Sequence, residues 1–102
     1  MNVIECAKYV QPTVVLLRQL DKEDAKMDFG DFVEFIGLRP ANAPWSKENG
    51  ARWRTQGSQI LDAVAAMDRS LNRGKETLPY GRIVSARTGK PGVGFYEPGA
   101  AA

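Results

Sequence analysis

Apolar positions recur through the second half of the chain at separations of 4, 3, 4, 3 and 4: Trp53, Gly57, Ile60, Val64, Met67 and Leu71. This spacing turns one seam of a helix toward a partner for about five turns, and Leu61 and Ala65 widen it. Ser46, with Asn49 three residues on, suits its start; Asn72, Arg73 and Gly74 suit its end, with a basic residue and a C′ glycine. Gly57 inside a helix costs about 1 kcal/mol relative to alanine. It therefore predicts either the close approach of another element or a break between a short Trp53-containing piece and a helix over 59–71. Burying Trp53, Ile60, Leu61, Val64 and Leu71 at about 1.5–3 kcal/mol each would supply much of the driving force for a domain of this size.

The first half carries shorter patterns. Pro12 suits the first turn of a helix, and residues 13–26 follow with Val14, Leu17 and either Leu20 or Val15 facing inward. Residues 3–10 are too few to separate a short helix from a strand. A second helix is predicted over 28–36, with Asp28 as N-cap, Asp31 three residues on, Phe32, Val33 and Ile36 at helical spacing, and Gly37 as its stop. Its aromatic residues Phe29, Phe32 and Phe35 read as core. Residues 39–45 hold Pro40, Asn42 and Pro44 and read as a loop. Beyond Gly74, a short β-branched run with Arg82 and Arg87 enters a Gly/Pro-rich turn at 88–92 and leaves through Val93, Phe95 and Tyr96, the pattern of a basic β-hairpin. Two helices followed by such a hairpin predict a mostly helical α+β fold, a winged helix-turn-helix with a C-terminal wing. One domain over 1–97 and a frayed tail over 98–102 are expected.

Composition narrows the chemistry. The 102 residues include one cysteine, Cys6, and no histidine. An intramolecular disulfide, a Cys/His zinc site and histidine-based catalysis are thereby excluded, and no segment shows carboxylates, lysines or tyrosines at a recognisable catalytic spacing. A non-enzymatic protein without cofactor or metal is expected. No apolar run approaches the about 20 residues that span a bilayer, and the first residues lack the pattern of a secretory signal, so a cytoplasmic protein is expected.

The net charge of +2 conceals a polarity along the chain. Residues 1–38 sum to −3 and residues 39–94 to +6, with Glu97 adding the last −1. A split of this kind is expected where one side faces a polyanion. Lys47, Arg52 and Arg54 fall in the first turns of the long helix, where the helix dipole disfavours positive charge and a phosphate would compensate. Arg82, Arg87 and Lys90 mark the hairpin. On a regular strand Arg82 and Arg87 point to opposite faces, so a bulge or turn is needed to aim both at one ligand.

Several of these segments resemble the C-terminal, winged-helix-type domain of the DNA alkylguanine alkyltransferases and their catalytically dead relatives, the alkyltransferase-like proteins. Phe29-Gly30 followed by Ile36-Gly37 looks like the family's opening helix, and Ala51-Arg52 is similar to its arginine element. Leu78-Pro79-Tyr80-Gly81-Arg82-Ile83-Val84 looks like its Pro-Cys-His-Arg-Val-Val run. The likeness covers roughly residues 27–96. Tyr80 stands at the nucleophile position and Gly81 at the histidine position, so the resemblance implies DNA recognition without alkyl transfer. Tyr80 would then either fill a base-sized pocket or support the wing as a packed side chain. The expected function is binding of double-stranded DNA through Lys47, Arg52, Arg54, Tyr80, Arg82, Arg87 and Lys90. The alternative is a small protein-interaction module, a phage, plasmid or accessory factor, that presents Trp45 as an anchor.

Overall fold

The computed structural model describes residues 3–85 and Gly89. Among these, three helices and one two-stranded parallel sheet make a mostly helical α+β fold: α1 (Val3–Lys22), β1 (Met27–Asp28), α2 (Phe29–Phe35), α3 (Lys47–Leu71) and β2 (Ile83–Val84). A 3-10 turn, Tyr80–Arg82, leads into β2.

α1 is longer at its start and shorter at its end than its sequence pattern predicts. Residues 3–10 belong to it, and Pro12 lies inside rather than in the first turn. An internal proline forfeits one backbone hydrogen bond, at about 3 kcal/mol. The inward face offsets that loss: Cys6, Val14, Leu16, Leu17 and Leu20 are buried, and Val15 is outside. Thr13 is fully buried, and its hydroxyl donates to the Tyr9 carbonyl at 2.7 Å, so no polar atom is stranded. The helix stops at Lys22 because Asp24 turns left-handed, φ +50°, and the Ala25 N–H closes back on the Leu20 carbonyl at 2.9 Å.

α2 is built as its caps dictate. Asp28 is extended and its carboxylate accepts from the Asp31 N–H at 2.8 Å, while Gly37 at φ +91° lets the Leu38 N–H reach the Val33 carbonyl at 2.9 Å. Phe29 and Phe32 are core and meet edge to face at 5.6 Å; Phe35, also expected inside, is on the surface.

α3 is one continuous helix of 25 residues. Gly57 marks a close approach rather than a break: a Cβ there would overlap the edge of the Phe29 ring and lie 3.0 Å from Val33 Cγ1. α2 therefore packs on α3 at a site that only glycine fits. The inner face of α3 also takes Trp53, Ile60, Leu61, Val64 and Ala65 into the core, where α1 covers it. The predicted seam fails at its end, because Leu71 is 73% exposed while Asp68 is buried.

The sheet is small, with Met27 opposite Ile83 and Asp28 opposite Val84. Only the first arm of the predicted hairpin falls within the described residues, and it is shorter than the sequence pattern indicates, since Arg82 belongs to the 3-10 turn. Apart from Gly89, its turn and return, with Arg87, Lys90, Phe95 and Tyr96, lie outside the described residues.

Candidate nucleic-acid interface

The N-terminal end of α3 is assembled from the loop before it. Ser46 caps the helix, its Oγ accepting from the Asn49 N–H at 3.1 Å. Trp45, one residue earlier, folds back on Gly50, where a Cβ would lie 2.8 Å from Trp45 Cε2; this is the staple between the residue before the cap and the fourth helical position. The Trp45 and Trp53 rings meet at 5.3 Å. Arg39 closes the arrangement. Its guanidinium donates to the Ala43 carbonyl at 3.1 and 2.7 Å and to the Gly30 carbonyl at 3.4 Å, and its carbon lies 5.4 and 5.5 Å from the two indole rings. A segment with two prolines is thus ordered around one half-buried cation.

Lys47, Arg52 and Arg54 are all exposed within the opening stretch, 47–54, of the helix that follows this loop. Lys47 and Arg54 are seven residues apart and so share a face. Arg52 projects from a different face, its guanidinium carbon 5.9 Å from the Trp53 ring and one nitrogen donating to Asn49 Oδ1 at 3.3 Å. None of the three forms an ion pair with a described residue. Glu48 is the acidic residue of that first turn. Nearby on α2, burial and then the charge of Asp28 push the Asp31 carboxyl up from its ordinary value.

Tyr80 and Arg82, expected at the same surface, are committed elsewhere. Tyr80 is 1% exposed, and its hydroxyl donates to Asp68 Oδ2 at 2.8 Å. Asp68 is a residue that sequence reasoning missed. Its carboxylate accepts from Asn72 Nδ2 (2.8 Å), the Thr77 hydroxyl (2.6 Å), the Thr77 N–H (2.6 Å), the Leu78 N–H (3.1 Å) and Tyr80. Burial alone would push this carboxyl up, but the donors from Thr77, Tyr80 and Leu78 outweigh it and hold its pKa down at about 2. For Tyr80, burial and the bond to Asp68 act together to push the phenol well above its ordinary value.

Asp68 lies 14 residues beyond Arg54, about 21 Å along the helix axis. Tyr80 is therefore a packed support of the α3–β2 connection, remote from the three exposed cations. Arg82 donates to Asp24 at 2.8 Å and Asp21 at 3.4 Å, the first just beyond α1 and the second in its last turn. β2 then carries the chain alongside β1 to Val84, opposite the Asp28 cap of α2. Two residues on from Asp28, the Gly30 carbonyl accepts from Arg39. β1 and α2 thus link β2 to the loop that Arg39 orders before α3. Arg87 and Lys90 lie outside the described residues.

The signal for Asp68 was present: it stands four residues after Val64 and seven after Leu61, an acid on the apolar face. Comparison with protein-family models, curated proteins and solved structures finds no match to this chain.

Proposed function

We propose that this chain is a non-enzymatic domain of winged-helix type that binds double-stranded DNA. The observation that carries the reading is the trio Lys47, Arg52 and Arg54, exposed and without carboxylate partners among the described residues on the opening turns of a 25-residue helix. At Lys47, in the first turn, positive charge is disfavoured by the helix dipole by a few tenths of a kcal/mol, and a phosphate reverses the sign. The sequence that follows β2, with Arg87 and Lys90, adds further cations to the reading. The resemblance to the alkyltransferase-like proteins points the same way, with Tyr80 and Gly81 in place of the cysteine and histidine that alkyl transfer needs.

The contact set is then Lys47, Arg52, Arg54, Arg87 and Lys90, with Tyr80 and Arg82 in supporting roles. About five neutralised phosphates give a slope of log K against log salt near −4 to −5. A gel shift with duplex DNA, single-stranded DNA and RNA over a range of salt tests it; absence of binding at low salt overturns the reading. Arg87→Glu with Lys90→Glu should weaken binding to all sequences alike, as phosphate contacts do.

A protein partner is the second reading, favoured by Trp45, which keeps 39% of its surface exposed while packed against Trp53 and Arg39. Strong quenching of Trp45 by iodide in a protein that binds no nucleic acid selects it.

A further inference from the structure

Positions 4, 8, 11, 15, 18 and 22 of α1 follow one another at intervals of four and three, so Ile4, Lys8, Gln11, Val15, Arg18 and Lys22 form one stripe along the helix. All six are exposed, on the side of α1 opposite the buried Thr13, Leu17 and Leu20. The stripe holds three cations and no acid, and none of the three cations forms an ion pair with a described residue. It also leaves two large apolar side chains in water, Ile4 at 79% and Val15 at 55% exposure. A nucleic-acid backbone would answer the cations and leave the apolar pair uncovered. A protein surface that is both acidic and apolar answers both.

This chain carries such a surface itself. On α2, Asp31, Glu34 and Phe35 are exposed on the side opposite the buried Phe32 and Val33, and Phe35 keeps 60% of its surface in water. Neither carboxylate forms an ion pair with a described residue. Asp31 is also crowded by like charge: burial first, then Asp28 and Glu34, push its carboxyl up, against a smaller opposing effect of Arg39. Cations from outside the chain would relieve that crowding. Both surfaces back onto the core, so each is presented by fixed backbone.

We propose that these two surfaces are the halves of a self-association contact: the α1 stripe of one copy receives α2 of a second, with Phe35 against Val15 and the Asp31 and Glu34 carboxylates on Arg18 and Lys22. The two halves differ, so a pair of such contacts related by a two-fold axis closes a dimer, and a single one propagates an open chain. The contact needs no nucleic acid and stands apart from the DNA reading. Because α2 has only seven residues, the area it covers is small and the association should be weak and reversible.

Sedimentation velocity of the full chain, without nucleic acid, over a range of protein and salt concentrations tests it. Wild type should associate with rising concentration at low salt and dissociate as salt screens the charges. Arg18→Glu and Glu34→Lys each set like charges against each other and should each weaken self-association at least about tenfold. Mixed in equal amounts, the two variants should associate again, because Glu at position 18 of one then meets Lys at position 34 of the other and the wild-type pair forms on the reverse side. Phe35→Ser and Val15→Ser should weaken association by about tenfold without changing its salt dependence. All four positions are exposed, and thermal melts confirm that the variants are folded; Arg18→Gln and Glu34→Gln replace a reversal that does not fold. A wild type that stays monomeric up to about 1 mM at low salt overturns the proposal. So does association that survives Arg18→Glu or Phe35→Ser, or a mixture that stays dissociated. A monomeric wild type whose duplex affinity falls in Arg18→Glu assigns the stripe to phosphate instead.

Discussion

At the start of α3 the chain from Gly37 to Ser46 is gathered by a cation, Arg39; at its end the chain from Asn72 to Pro79 is gathered by an anion, Asp68. Arg39 is half-buried, spends its donors on two carbonyls and lies against two indoles. Asp68 is 3% exposed and receives five hydrogen bonds, which leaves its carboxylate no capacity for a ligand. The same task, ordering an irregular connection, is solved in one place with surface left over and in the other with none. The Arg39 end keeps an aromatic edge and the cations of α3 in solvent, while the Asp68 end is a mount. The binding role proposed above falls at the first, and stability should reside disproportionately in the second.

The contrast between the two ends depends most heavily on Asp68. Asp68→Ala strands two backbone N–H groups, a threonine hydroxyl and the Tyr80 hydroxyl in or near the core, and should lower stability by about 3–5 kcal/mol in urea unfolding. A loss below about 1 kcal/mol would show that the connection is held by packing alone.

Acid probes the same carboxylate without mutation. Its folded pKa, about 2, lies below the ordinary 3.8. The group therefore stabilises the fold fully above pH 4 and loses that contribution as pH falls through 2, to the extent of about 2 kcal/mol. Urea midpoints measured between pH 5 and pH 2 should fall in wild type, and a folded Asp68→Asn variant should lack this component.

Arg39 should matter less. Arg39→Lys retains the charge but loses the planar fork and its stacking on Trp45 and Trp53, a change of about 1 kcal/mol with an altered tryptophan emission.

The elements held by local chemistry were legible in the sequence. Asp28, Gly37 and Ser46 act within four residues of their partners, whereas Gly57 announced either a close approach or a break, and Phe29 and Val33, distant in sequence, decide for the approach. What was not legible is held over distance. Arg82 looks like a surface cation until Asp21 and Asp24 arrive from 61 and 58 residues away, and Tyr80 looks available until Asp68 takes its hydroxyl. Leu71 continues the apolar spacing but falls in the last turn, where it is 73% exposed. Pro12 carries a strong local preference for a first turn, and burial of the α1 face on both sides of it overrides that preference.

The finest distinction between the two ends is tested at Gly50. Alanine there gains about 1 kcal/mol of helix propensity, but its methyl occupies the space against which the Trp45 indole rests. At a buried ring such as Phe29 over Gly57 the neighbour has nowhere to go. Trp45 stands at a loop end with 39% of its surface already in water, so it can swing outward. The two effects should nearly cancel, leaving Gly50→Ala within about 0.5 kcal/mol of wild type, while Trp45 emission shifts to the red and iodide quenching increases. A loss above about 1 kcal/mol with unchanged emission would instead show Trp45 to be as fixed as the core, and the Arg39 end to be a mount of the same kind as the Asp68 end.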